Sequence, residues 1–266
     1  MKKMDYDIRS DLALQNKKLK KIKTFKSENV TIKEFSDKEY NHVSIIFKNF
    51  ESSDIKEEIK KNFIKELKIF FKKYKLKKDA TCLVVGLGSS RIASDSLGVK
   101  TVREVIATGY IKYFDTNIEG RLVYTFTPGV IGSTGIMAFD SIKALVKELG
   151  VDFVIIIDSL VSSSVVYLNN LIEINDRGIT PGSGIANYQK EISTKTLGIP
   201  VLVIGVPTVT YASTIIRDAF NLKTKKITFK KGYDLIVSGK DVDLAINNLS
   251  KIIARGINKV LNPNIF

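Results

Sequence analysis

Short apolar runs alternate with amphipathic segments through most of the chain. Five of these runs have the length of buried strands. They are residues 82–85, 122–126, 153–157, 171–174 and 201–204. Between them, residues 97–108 and 136–149 carry apolar side chains at helical spacing. Strands that alternate with helices and end in glycine-rich loops predict an α/β fold: a doubly wound, mostly parallel sheet flanked by helices.

The two ends of the chain add further elements to this plan. Residues 29–35 and 42–47 bracket a turn-like stretch at 36–39, which predicts an N-terminal hairpin. Helical spacing over 53–74 predicts a long helix after the hairpin, and the same spacing over 241–261 predicts a C-terminal helix.

The domain organisation follows from the segments that lack such a pattern. Residues 1–28 are basic and weakly patterned, so we expect a basic N-terminal tail. Residues 221–235 have the composition of a basic connector. We predict a single α/β domain over residues 29–266.

Charge and apolar content narrow the range of partners. The formal net charge of +14 suggests an acidic partner such as nucleic acid or a membrane surface. The lysines, however, fall mostly in segments with the pattern of solvated helix faces and loops, without the interleaved aromatic residues of single-strand-binding proteins. We therefore expect no direct binding of nucleic acid. No apolar run approaches the ~20 residues of a membrane span, and the N-terminus lacks the apolar core of a signal peptide. These features predict a cytoplasmic protein without a membrane partner.

Cysteine and histidine are nearly absent. The single cysteine, Cys82, excludes an internal disulfide and a multi-cysteine metal site. The single histidine, His42, falls in a predicted strand at 40–47, away from the glycine-rich loops. We expect a structural or surface role for it, rather than a place in a Ser-His-Asp or Cys-His arrangement.

Two aspartates stand where an open α/β sheet binds its ligands. Asp95 follows the loop after run 82–85, at the predicted N-cap of the next helix, and Asp158 directly follows run 153–157. If the two strands are neighbours, both carboxylates face one crevice at the carboxyl ends of the strands. The loop's Gly86-x-Gly88 has Arg91 where the dinucleotide fingerprint needs a third glycine, so that type of site is not expected.

The pair of aspartates suggests a peptidase, with alternatives left open. Two close carboxyls share a proton, so one can act as base towards water while the other protonates or polarises an amide. A helix N-terminus would favour the ionised form of Asp95, whereas burial would favour the acid form of Asp158. Both aspartates could instead merely cap helices. The same pair could also hold a hard cation with help from loop carbonyls. The serines at 133, 159 and 162–164 are not accompanied by a G-x-S-x-G motif or an obvious base, so we do not expect a serine nucleophile.

Several motifs, taken together, resemble the bacterial spore (germination) protease family. They are Arg-Ser-Asp-Leu-Ala at 9–13, Leu-Val-Val-Gly-Leu-Gly at 83–88 with Asp-Ser-Leu-Gly at 95–98, Pro-Gly-Val-Ile-Gly-Ser-Thr-Gly at 128–135, the stretch at 152–160, Ile-Asn-Asp-Arg-Gly-Ile-Thr-Pro-Gly-Ser-Gly at 174–184, Gly-Val-Pro-Thr-Val at 205–209 and the stretch at 237–243. The resemblance implies an atypical aspartic-type endopeptidase that degrades small acid-soluble, DNA-protecting spore proteins during germination, in the cytoplasm of the forespore or spore core. The family's proposed catalytic aspartates fall on Asp95 and Asp158.

The resemblance also implies how the enzyme is made and assembled. It implies a fold similar to hydrogenase maturation endopeptidases, a homotetramer, and a zymogen that removes a short propeptide before residues 8–13. Because no histidine or cysteine cluster supports a transition metal, we expect no cofactor or metal. The chain departs from the family pattern in the loop at 89–94, at Ser96 and at Tyr211, and it has only the connector at 221–235 before its last helix. The alternatives are therefore a repurposed or inactive member that binds peptide or nucleic acid, and a metal-dependent protease.

Overall fold

A computed structural model describes residues 3–16, 19–37, 39–48, 50–114, 120–185, 189–224, 226–230 and 235–265. The strands are β1 (Lys3–Asp7), β2 (Lys20–Lys26), β3 (Val30–Ser36), β4 (Asn41–Phe47), β5 (Cys82–Gly86), β6 (Val123–Phe126), β7 (Phe153–Ser162), β8 (Leu171–Asn175), β9 (Val201–Tyr211), β10 (Lys226–Lys230) and β11 (Ile236–Ser238). The helices are α1 (Ser53–Lys73), α2 (Leu97–Glu104), α3 (Ile131–Thr134), α4 (Ala138–Leu149), α5 (Thr194–Leu197), α6 (Ala212–Ala219) and α7 (Val242–Leu261).

Strands β6, β5, β7 and β9 form the parallel half of a nine-stranded sheet. The full order is β2-β3-β4-β8-β9-β7-β5-β6, with β11 paired to β9 outside this path. Strand β5 pairs in parallel with both β6 and β7, and β7 pairs in parallel with β9. The remaining pairs of this sheet are antiparallel, including β8 against β9 and the predicted hairpin of β3 and β4. The carboxyl ends of β5 and β7 therefore lie side by side.

Helices cover both faces of the parallel strands. On β5, Cys82 and Val84 pack into the core shared with α1, α2 and α7, whereas Leu83 and Val85 pack into the core shared with α4. Every residue of β5 is buried. A strand that is covered on both faces must be apolar at every position. Its sequence is therefore a continuous apolar run and does not alternate between apolar and polar residues. The predicted doubly wound α/β fold and the predicted C-terminal helix are confirmed.

The N-terminal segment differs from the predicted tail because it contributes strands. Strand β1 pairs antiparallel with β10 in a separate two-stranded sheet, and β2 pairs with β3 as the edge strand of the main sheet. All seven residues of β2 are exposed. An edge strand exposed along its whole length has no buried face to impose an apolar alternation, so its sequence gives no strand signal.

Two central strands extend past their apolar runs. The prediction ended them at Ile157 and Ile204, but β7 continues to Ser162 and β9 to Tyr211. The two strands pair in parallel as far as Ser162 and Thr210, with one shift of register after Leu160. An apolar run marks the part of a strand that helices cover on both sides. Beyond it one face meets a cavity and polar residues appear, although the backbone pairing goes on. Asp158 is thus inside a strand and not at its end.

No helix within the described residues is long and apolar enough to cross a bilayer.

Candidate active site

Asp158 lies in β7 at the point where β5 stops pairing with it. The last β5–β7 pair joins Gly86 to Ile157, while β9 continues alongside β7 as far as Ser162. Oδ1 of Asp158 accepts a hydrogen bond from the backbone N–H of Ser159 at 2.8 Å. Because Asp158 is in the middle of a strand, helix capping does not explain its presence.

Asp95 ends a short 3-10 turn that leads into α2. Its backbone carbonyl accepts a hydrogen bond from the N–H of Ser89 at 2.9 Å, which closes the loop after β5. The N-cap of α2 is Ser96, whose hydroxyl donates to the carbonyl of Ala93 at 2.7 Å. The predicted N-cap position of Asp95 is therefore wrong by one residue, and its carboxylate is not accounted for by capping.

Gly88 allows the end of β5 to turn tightly against Asp95. The φ angle of Gly88 is +94°, in the region that favours glycine. A Cβ atom at this position would lie 2.0 Å from the carbonyl oxygen of Asp95 and 2.9 Å from its Oδ1. The glycine of the Gly86-x-Gly88 motif thus serves to place a carboxylate rather than to approach a phosphate.

The two aspartates open into one cavity of about 570 Å³. The other walls of the cavity are residues 159–161 of β7, residues 178–180 and 182–185 of the loop after β8, and Asp11 from the N-terminal segment. The structure brings together both residues predicted from the sequence. It adds Asp11, which the sequence reasoning missed as a site residue although the motif at 9–13 contains it.

Burial shifts both carboxyls towards their protonated forms, and charge repulsion adds to the shift of Asp158. Burial raises the pKa of Asp95 to about 6, opposed by a hydrogen bond from the backbone of Ser89. Burial also raises the pKa of Asp158 well above its ordinary value, and the negative charges of Asp95 and then Asp11 raise it further. Of the two carboxyls, Asp158 therefore has the stronger tendency to hold a proton, because it is shifted both by burial and by the charge of Asp95. The predicted effect of a helix N-terminus on Asp95 is wrong, because burial raises its pKa; the assignment of base and acid stays a prediction.

His42 lies outside this cavity. It is a buried residue of β4 that lines a neighbouring cavity, whose described walls contain neither Asp95 nor Asp158. Burial lowers the pKa of its imidazole to about 4. The expected structural role is consistent with this position, and a His-dependent triad at the two aspartates is not formed.

Two of the candidate serines take part in local structure, whereas the buried hydroxyl of Ser159, in the cavity wall next to Asp158, makes no hydrogen bond among the described residues. The hydroxyl of Ser162 donates to the carbonyl of Ser164 at 2.7 Å, and that of Ser133 donates to the carbonyl of Val130 at 2.9 Å. Burial raises the pKa of the Cys82 thiol. Across the described ranges, no group of three or more His, Cys, Asp or Glu residues is placed to hold a metal ion.

Comparisons with known proteins agree on one family. A family model described as germination protease matches residues 3–231 of the chain. The germination protease of Clostridium acetobutylicum is 37% identical over 246 residues, covering 80% of this chain and 75% of the relative. That of Bacillus subtilis is 32% identical over 275 residues, with 80% and 75% covered. That of Priestia megaterium is 42% identical over 188 residues, with 69% and 50% covered.

Proposed function

The chain belongs to the germination protease family, and we propose that it hydrolyses peptide bonds by means of Asp95 and Asp158. Membership identifies it as a protease that acts on protein substrates. The observation that carries the two-aspartate mechanism is that both carboxyls line one cavity and that the charge of Asp95 raises the pKa of Asp158. Neither carboxyl is explained by helix capping.

The mechanism follows from the different protonation of the two groups. Ionised Asp95 accepts a proton from a water molecule as the water attacks the scissile carbonyl carbon, while protonated Asp158 donates its proton to the carbonyl oxygen. When the tetrahedral intermediate collapses, the proton on Asp95 passes to the departing nitrogen. Asp158 regains its proton as the new carboxyl forms. The pair then returns to its starting state with one shared proton.

The proposed substrates are the small acid-soluble proteins that protect DNA in spores, degraded during germination. The support is the resemblance of the motifs, together with relatives that carry the name germination protease. On the same grounds we place the enzyme in the cytoplasm of the forespore or spore core and propose that it is a homotetramer. Light scattering coupled to size exclusion tests the last point, because a tetramer has four times the monomer mass of 29.7 kDa.

We also propose that the enzyme is a zymogen which removes a propeptide ahead of residues 8–13. This piece contains β1 (Lys3–Asp7), whose partner is β10 (Lys226–Lys230). Intact-mass measurement and N-terminal sequencing test the proposal: the unmodified chain is expected to shorten on incubation, and an Asp95→Asn variant is expected to keep its full length. A variant that shortens at the normal rate would contradict self-processing by this site.

Catalytic activity is tested with a purified small acid-soluble spore protein and variants of the two aspartates. Asp95→Asn and Asp158→Asn are each expected to lower kcat/KM by ~10²–10⁴-fold, the usual contribution of general acid–base groups. The control is Asp243→Asn, an exposed aspartate in the first turn of α7, which is expected to retain activity. Circular dichroism establishes that the variants fold. Normal cleavage by both variants would refute the two-aspartate mechanism, and loss of activity with chelators would favour the metal-dependent alternative.

A further inference from the structure

Strand β9 carries a bulge beside the candidate active site. Leu160 of β7 is paired with Pro207, but the next residue, Val161, is paired with Val209. Thr208 is therefore an extra residue without a partner on β7, which defines a β-bulge. Pro207 has no N–H to donate at this point, and bulges are among the few places within a sheet that accommodate proline. Bulges next to active sites commonly redirect a side chain.

The side chain of Thr208 reaches the turn that carries Asp95. Thr208 is fully buried, and its hydroxyl donates to the carbonyl of Ser94 at 2.7 Å. This carbonyl belongs to the peptide unit that joins Ser94 to Asp95, and such a unit is planar as far as the Cα atom of the second residue. The hydrogen bond therefore constrains the position of the Cα atom of Asp95.

The hydrogen bonds within the loop fix the shape of this turn but not its place on the sheet. The N–H of Asp95 donates to the carbonyl of Ile92 at 3.0 Å, and the carbonyl of Asp95 accepts from the N–H of Ser89 at 2.9 Å. Both partners belong to the same loop and would move with it. A contact from outside the loop is needed to place the turn relative to the strands.

Thr208 provides such a contact from the strand that neighbours Asp158. Strand β9 pairs in parallel with β7, and Gly205, three residues before Thr208, is opposite Asp158. The hydroxyl bond thus links the turn of Asp95 to the strand beside Asp158, and Thr208 itself lines the cavity that holds both carboxyls. One side-chain bond of this kind sets a resting position without the rigidity of paired strands.

We propose that Thr208 is a positioning residue, whose hydroxyl holds the turn of Asp95 against β9 and so sets the separation of the two reacting carboxyls. The inference rests on the proposed two-aspartate reaction and extends it. Thr208 acts through the backbone of Asp95, and it neither takes up nor releases a proton. Its loss is expected to slow the chemical step more than it weakens substrate binding, because it displaces a reacting group.

The test compares Thr208→Val with Thr210→Val. Valine has nearly the shape of threonine but no hydroxyl, so the carbonyl of Ser94 loses its donor. Thr210 is a matched control because it lies in the same strand, is equally buried, and also donates its hydroxyl to a backbone carbonyl at 2.7 Å, that of Ser162. It does not belong to the described walls of the cavity. Each variant is expected to lose roughly 2–4 °C in Tm, because each lacks one buried hydrogen bond.

The deciding measurement separates kcat from KM for cleavage of a small acid-soluble spore protein. Thr208→Val is expected to lower kcat by ~10–10²-fold with little change in KM, whereas Thr210→Val is expected to keep both constants. Equal kcat in these two variants, or a change confined to KM, overturns this inference and leaves the proposed function intact if Asp95→Asn and Asp158→Asn lose their activity. Normal cleavage by both aspartate variants overturns the proposed function instead.

Two smaller substitutions cover the case in which Thr208→Val does not fold. Thr208→Ser keeps the hydroxyl without the methyl group, and Thr208→Ala removes both. If the hydroxyl positions Asp95, the serine variant is expected to keep a kcat close to that of the unmodified chain, while the alanine variant loses ~10–10²-fold. Equal kcat in the serine and alanine variants would assign the effect to packing of the methyl group and would overturn the inference.

Discussion

Replacing Gly88 with alanine tests whether the position of Asp95 controls the reaction. Alanine at φ +94° costs about 1–2 kcal/mol because its Cβ meets the backbone in this region. In addition, the new Cβ would lie 2.0 Å from the carbonyl oxygen of Asp95, about 1 Å closer than such contacts allow, so Asp95 has to move by about that distance. A displacement of ~1 Å at a reacting group can lower the rate by ~10²-fold.

Gly198 provides the matched control for this substitution. It has a φ of +78° at the end of α5, and a Cβ there would have no heavy atom within 4 Å. Gly198→Ala therefore carries the backbone strain without the collision. For a chain of this length, ~1 kcal/mol lowers Tm by roughly 2–4 °C.

The assay is kcat/KM on a small acid-soluble spore protein together with Tm for each variant. Gly198→Ala is expected to lose Tm and keep its activity, whereas Gly88→Ala is expected to lose a comparable or larger amount of Tm and ~10²-fold in kcat/KM. Full activity of Gly88→Ala, whatever its Tm, would show that the placement of Asp95 does not limit the reaction.

Three further predictions concern the dependence of activity and stability on pH. The limb of the kcat/KM profile at low pH is expected near pH 6, where Asp95 loses its proton, and a limb near the ordinary aspartate value of 3.8 would contradict its role as the base. Because folding raises the pKa of Asp95, the contribution of this carboxyl to the free energy of unfolding is complete below pH 3.8 and is lost as pH rises through about 6. The variant Asp95→Asn is therefore expected to have a higher Tm than the unmodified chain at pH 7. An equal or lower Tm would count against burial of the charge. His42→Asn is expected to keep the same pH profile because His42 lies outside the cavity, and the disappearance of a limb would assign the histidine to the reaction.

Asp95 and Asp158 were predictable from the sequence because each follows a short apolar run that marks the buried part of a strand. Parallel strands place such residues at one edge of a sheet, so two local patterns were enough to predict a shared cavity. The position of Asp158 within its strand was not predictable. The apolar run ends at Ile157, yet β7 continues to Ser162, because backbone pairing with β9 does not depend on apolar side chains.

Asp11 was not predictable as a site residue from local patterns. Its segment has no apolar periodicity, and its place in the fold depends on hydrogen bonds with Val161 and Ser183, which are 150 and 172 residues away in the chain. Strand β2 was missed for a related reason, since its stabilising partner is β3 and its own side chains are exposed.

The setting of Asp158 in β7 makes the two sides of the cavity unequal in stiffness. The strand is bonded to β5 before this residue, to β9 along most of its length, and to Asp11 after it, so a shift of Asp158 would have to shear several hydrogen-bonded strands at once. Asp95 instead belongs to a short turn whose neighbouring loop residues 89–92 are exposed or partly exposed. Accommodation of an incoming peptide is therefore expected to come from the Asp95 side, with Asp158 as the fixed reference against which the peptide bond is aligned.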